Sequence, residues 1–140
     1  MSELAVQGCS LKISSTAGSI SAVSVVPSNS PSPDNLVNDK GIFFEKITAQ
    51  ITTAKIEPTT PVAGTTNVGI LASGSIDIAG TASNVLDSSG NKAVQKGDKA
   101  TKTLTFLFTI SPPATPPTTP VDLPVTVEVD SAGQTDVIAS

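Results

Sequence analysis

Lys46-Ile47-Thr48-Ala49-Gln50-Ile51-Thr52-Thr53-Ala54-Lys55-Ile56 is the stretch whose pattern decides the fold class. Ile47, Ala49, Ile51 and Thr53 fall on one side of an extended chain, and Thr48, Gln50 and Thr52 fall on the other. That period of two belongs to a half-buried strand. A helix over residues 43–50 is the competing reading, but the threonines that follow are β-branched and favour a pleated backbone. A strand is therefore predicted over residues 41–56, ended by the cluster around Pro58 and Pro61.

The flanking sequence repeats the theme. In residues 68–79, Ile70, Ala72, Gly74, Ile76 and Ile78 take alternate positions, with Gly74 marking a bulge or a close backbone approach. Residues 19–26 alternate as well, with Ile20, Ala22 and Ser24 on one face; with residues 4–13 they predict a hairpin closed through residues 15–18. Residues 102–110 set Leu104, Phe106 and Phe108 opposite Thr105, Leu107 and Thr109, and residues 125–129 alternate again. Residues 81–86 and 92–96 flank a turn at residues 87–91, and residues 27–38 read as a loop. Residues 111–124 hold six prolines and predict a polyproline strap or linker. The expectation is one β-rich domain over residues 1–140: all-β, seven to ten strands, no substantial helix, its short hairpins arranged as a cone or a small β-sandwich.

Composition narrows the function. Four Phe supply all the aromatic content, so the core must be built from Val, Ile, Leu and Ala. The chain has no His and no Arg, which removes the commonest general base and the bidentate anion clamp. A net charge of −4 opposes nucleic acid and anionic lipid. Cys9 is a lone cysteine without the donors a zinc site needs, and reads as a buried thiol. Asp34, Asp39, Asp77, Asp87, Asp98, Asp130 and Asp136 are scattered beside turn residues, where Asp ties down backbone rather than performing chemistry. Residues 69–80 lack the spacing of a phosphate loop. No catalytic, metal or cofactor site is expected. The N-terminus has neither the basic nor the apolar region of a signal peptide, so synthesis in the bacterial cytoplasm is the expectation.

The most distinctive segment is Gly80-Thr81-Ala82-Ser83-Asn84-Val85-Leu86-Asp87-Ser88-Ser89-Gly90-Asn91-Lys92-Ala93-Val94-Gln95-Lys96-Gly97-Asp98. It resembles the repeat of PAAR-like spike-tip proteins, with Gly80, Asn84, Val85, Gly90, Ala93, Gly97 and Asp98 as the structural turn residues. The opening Val6-Gln7-Gly8-Cys9-Ser10-Leu11-Lys12 is similar more loosely. The resemblance covers about a fifth of the chain. Of the Pro-Ala-Ala-Arg signature only Ala93 matches, and the His that helps hold the family's apical metal is missing, so a tip of this kind would be metal-free. The resemblance implies a cone on the end of a trimeric β-helical spike, in a type VI secretion system, a contractile phage tail or a phage-tail-like injection particle. It also implies transient membrane contact during injection, delivery outside the cell, and effector cargo as a further partner. The strands near residues 47–56 and 70–78 would form the base on the spike, with exposed main-chain edges pairing with it. The rival reading is an immunoglobulin-like sandwich used for adhesion or binding at a phage or cell surface, weakened by the absence of Trp and Tyr.

Overall fold

The computed structural model describes residues 2–110 and 118–139. The described residues form strands and turns with no helix. In chain order the strands are β1 (Ser2–Glu3), β2 (Ser10–Ser14), β3 (Gly18–Pro27), β4 (Leu36–Val37), β5 (Lys40–Gly41), β6 (Lys46–Pro58), β7 (Thr65–Ala79), β8 (Ala82–Leu86), β9 (Lys92–Ala93), β10 (Lys99–Ile110), β11 (Thr118–Ser131) and β12 (Ile138–Ala139). The all-β expectation holds; β4–β5 and β8–β9 are short hairpins, and a third two-stranded pair, β1–β12, joins the two ends of the described chain.

The six longer strands β2, β3, β6, β7, β10 and β11 make a single antiparallel sheet in the order β2-β11-β10-β7-β6-β3. β2 and β3 are successive in the chain but do not form the hairpin the sequence suggests. β2 pairs with β11, from Ser14↔Thr126 to Ser10↔Ser131, while β3 pairs with β6, from Gly18↔Pro58 to Pro27↔Ala49. The two still pack edge to edge, so the sheet nearly closes into a barrel with a seam between them. In the turn that links β2 to β3, the Ser15 hydroxyl donates to the Pro124 carbonyl of β11 at 2.6 Å.

Inside the barrel lie Ile47, Ile51, Ile56, Ile76, Ile78, Leu104, Phe106, Phe108, Val125, Val127 and Val129. β10 and β11 keep strict alternation, as their sequences imply. Strands β3, β6 and β7 do not. Ile47, Ala49 and Ile51 point inward, but after Thr53 the inward positions become Ala54 and Ile56. β3 changes phase between Ala22 and Val25, and β7 between Leu71 and Gly74, so Ile70 faces outward rather than sharing a face with Ile76. The registers explain why: Ala22↔Ala54 and Ser24↔Thr52 skip Val23 and Thr53, while Ala54↔Leu71 and Thr52↔Ser73 skip Thr53 and Ala72. Val23, Thr53 and Ala72 therefore form one row of missing rungs, and Thr53 turns the chain over with a left-handed φ of 45°. A threonine there is strained, at an order of 1–2 kcal/mol. Beyond this row each strand bends while keeping its apolar face on the core.

The proline-rich stretch needs a correction for residues 118–124, which belong to β11; residues 111–117 of the proposed strap lie outside the described residues. Pro120 stands opposite Leu107 and Pro124 opposite Thr103. A strand tolerates proline where the missing N–H would face away from its neighbour. Pro124 meets that condition, because its carbonyl faces Ser15 and not β10.

Gly69 stands opposite Phe108, and a Cβ there would lie 2.6 Å from the Phe108 ring. The ring is fully buried and has no room to retreat. Gly69→Ala is expected to cost about 1–3 kcal/mol by overpacking, read from urea denaturation. Phe108→Leu in the same chain should recover part of that loss, and an additive double mutant would refute the contact.

Candidate functional site

Residues 3–7, 41–45 and 92–96 are three short extended arms that lead into β2, β6 and β10. Their central residues are Ala5, Phe43 and Val94. The N–H of Ala5 donates to Val94 C=O at 2.8 Å, that of Val94 to Phe43 C=O at 2.9 Å, and that of Phe43 to Ala5 C=O at 3.0 Å. The ring closes. A second ring runs the opposite way around it: Gln7 N–H donates to Gly41 C=O, Glu45 N–H to Lys92 C=O, and Lys96 N–H to Glu3 C=O, at 2.8–2.9 Å. The bridges Leu4↔Gln95, Val6↔Ile42 and Phe44↔Ala93 complete the set. Each arm thus makes the same bonds to the other two, and the three are related by a pseudo-threefold axis.

Strand alternation makes this junction a partition. Ala5, Phe43 and Val94 turn into the barrel core. Their neighbours Leu4, Val6, Ile42 and Ala93 turn the other way, into a second cluster with Val37 and Ala82, against which Phe44 and Val85 pack. Each arm leaves the junction through a left-handed residue: Gly8 at φ 92°, Glu45 at φ 69° and Gly97 at φ 92°. For Gly8 and Gly97 this is the reversal that glycine makes without a steric cost.

The same threefold pattern governs the cap over the second cluster. The segment after β3 forms β4, which pairs with the second arm; the segment after β7 forms β8, which pairs with the third; the segment after β11 forms β12, which pairs with the first. Glu3, Gly41 and Lys92, one position on each arm, stand opposite Ile138, Leu36 and Leu86 respectively.

The turn residues singled out from the sequence fall in the third of these units. Ala93 is fully buried and Val85 packs on the cap cluster, while Asn84 is exposed. Gly80 lets the chain pass so close to the third arm that a Cβ would lie 2.3 Å from the Lys92 carbonyl oxygen. Gly90 has φ 85° in a turn organised by Asp87, whose Oδ1 accepts from the N–H groups of Ser89 and Asn91, each at 2.9 Å. Asp98 is buried, and its Oδ2 accepts from Gln95 N–H at 2.9 Å while its Oδ1 accepts from the Thr81 hydroxyl. Tying the turn to the backbone is the role the sequence assigned to it. The strand over residues 47–56 does not offer the free edge expected of a spike-binding base, because β6 is flanked by β3 and β7 along its length.

Two further residues escaped the sequence reading. Buried Gln134 donates through Nε2 to the carbonyls of Leu4 and Val137, each at 2.9 Å, and accepts at Oε1 from the N–H groups of Asp136 and Val137. Ser32 plays a like part before β4, accepting from Asn35 N–H at 3.3 Å and Asn35 Nδ2 at 3.1 Å. A lone Gln or Ser in a loop carries no sequence signal for such a role. Burial pushes the Cys9 thiol up to about 11, which keeps it protonated near neutrality. Among the described residues, no three of His, Cys, Asp and Glu are grouped to hold a metal ion. Comparisons with protein families, curated proteins and solved structures yield no significant match.

Asp98→Ala strands the Gln95 amide and should cost about 1–3 kcal/mol in urea denaturation. Asp98→Asn keeps an acceptor and should cost less; equal losses would refute the amide contact. The Asn91 backbone N–H, with further bonds from Asn91, Ser89 and Gly90, holds the Asp87 carboxyl below its ordinary value. A depressed carboxylate stabilises its turn above the ordinary carboxylate pKa, and that contribution is lost as pH falls through and below it. The Gly90 amide resonance should therefore shift on acidification in the native chain and stay still in Asp87→Asn.

Proposed function

We propose that this chain is a non-enzymatic structural tip that caps the trimeric β-helical spike of a contractile injection apparatus. The observation that carries the reading is the closed ring of hydrogen bonds among Ala5, Phe43 and Val94, with its threefold set of arms and two-stranded pairs. One chain with internal threefold order is the natural terminator for a threefold stalk, because it offers the same backbone contacts to each stalk subunit. The resemblance of residues 80–98 to spike-tip repeats adds to this, since those residues contain one of the three two-stranded pairs of the cap. A penetrating tip must also be rigid, and here the junction separates two apolar clusters and is bonded on both sides.

The rival adhesion module has less support. The long strands lie in one nearly closed sheet in place of two facing sheets. All four Phe are committed to packing: Phe43, Phe106 and Phe108 are buried, and Phe44 lies against the cap cluster. Only Phe44 keeps part of its ring at the surface, little aromatic area on which to stack a sugar.

The test is made on intact particles from the producing bacterium. Mass spectrometry of purified particles should find the chain, and deleting its gene should abolish penetration of target cells. Particles that lack the chain, and that inject normally without it, would end the reading.

A further inference from the structure

β3 is the strand of the barrel that carries no charge. Its 10 residues are Ser, Ala, Val and Ile between Gly18 and Pro27, while each of the other barrel strands holds at least one charged side chain. β3 is also an edge strand, bonded to β6 on one side and to no strand on the other. Edge strands are ordinarily guarded by charge, lysine above all, because their free main-chain groups pair readily with another strand. β2, the other edge, has such a guard in Lys12, which reaches Glu128 at 3.0 Å. β3 has none.

The half of this edge nearer the cap is the open half. Residues 15–17 link β2 to β3, so Ser14 stands level with Gly18, and Ser10 with Ala22. Along residues 23–27 no strand of the described residues lies alongside. Gln7 and Gly8 face Pro27 and Asn29 there across a cavity of about 250 Å³. Val23 is 77% exposed and Val26 50%. The inward residues of the seam are uncovered as well. Ile20, Ala22 and Val25 are only partly buried, as are Leu11 and Ile13 on β2, whereas Ile51, Phe106 and Val127 are fully enclosed.

We infer that residues 23–27 are a self-association edge, and that the occupant is the same strand of a second copy of this chain. Three features favour a second copy. Two β3 strands bring no like charges together, although the chain carries a net −4. The charges of β6 in register with β3, Lys55 and Glu57, are of opposite sign and lie one strand back, level with Ser21 and Ser19. Residues 20–26 are small or branched aliphatic, with no proline, glycine or charge, and such a segment pairs well with its own copy. Antiparallel pairing about a two-fold axis uses up the one unguarded edge of each copy, so assembly closes at two. It also brings Val23 and Val26 of the two copies onto one outer face, where β-branched neighbours stabilise a sheet. The contact is short, so the dimer is reversible and its population rises with concentration. It makes no use of the spike-tip reading and stands or falls without it.

Sedimentation equilibrium of the full chain over a wide range of concentration tests this. A monomer–dimer equilibrium is expected, not weakened by added salt, since no charge takes part. Val23→Lys and Val26→Lys supply the missing guard and should each weaken association about tenfold or more. Leu107→Lys, at an exposed aliphatic on β10 across the barrel, should leave it unchanged. Thermal unfolding checks that each variant is folded, and Val23→Glu or Val26→Glu replaces any that is not. A native chain that stays monomeric at every concentration would overturn the inference and leave the edge to a strand of another protein. Association beyond two, association abolished by salt, or undiminished association of the folded edge variants would overturn it too, by placing the contact elsewhere on the surface.

Discussion

Main-chain hydrogen bonding between three arms that are far apart in sequence is the constraint on which the molecule depends. A six-stranded barrel of this kind has an open end, and the apolar residues near it need a floor. The arms supply the floor without leaving their own amides unpaired, because each donates to one neighbour and accepts from the other. Unpaired groups at that depth would each cost about 1–3 kcal/mol. The ring also fixes where β2, β6 and β10 begin, and so sets the register of the barrel that they seed.

Two packing devices accommodate the sheet to this floor. The row at Val23, Thr53 and Ala72 turns three adjacent strands over together, so none loses its inward face when the sheet bends. Gly69 gives up its side chain so that the Phe108 ring can lie flat across β7, filling the barrel with one of its few large groups. A chain with so little aromatic content depends on each such ring being fully enclosed.

Much of the local structure was legible in the sequence, and most of the global arrangement was not. Alternation located Phe106, Phe108, Val125, Val127 and Val129 correctly, since nothing interrupts those strands. It misplaced Thr53 and Ile70, because a reversal of phase in the backbone leaves no mark in a list of apolar positions. The supposed hairpin at residues 15–18 failed because both strands find better partners further along the chain. The turns at Gly97 and Asp98 were readable because their chemistry is local. The internal threefold repeat was hidden, as the arms share bonds rather than side chains. Ala5-Val6-Gln7-Gly8 and Ala93-Val94-Gln95-Lys96-Gly97 look alike, yet the backbone matches Ala5 with Val94, one residue out of step with the letters. The second arm uses Glu45 where the other two use glycine.

The three central residues of the arms are an alanine, a valine and a phenylalanine. Three identical subunits meeting at such a point must each place the same group there, which leaves a hole if that group is small and a collision if it is large. A single polypeptide is free of that restriction. It can tile the centre with one large, one medium and one small piece, and so obtain a solid plug from a plan that symmetry alone would leave hollow or overfull.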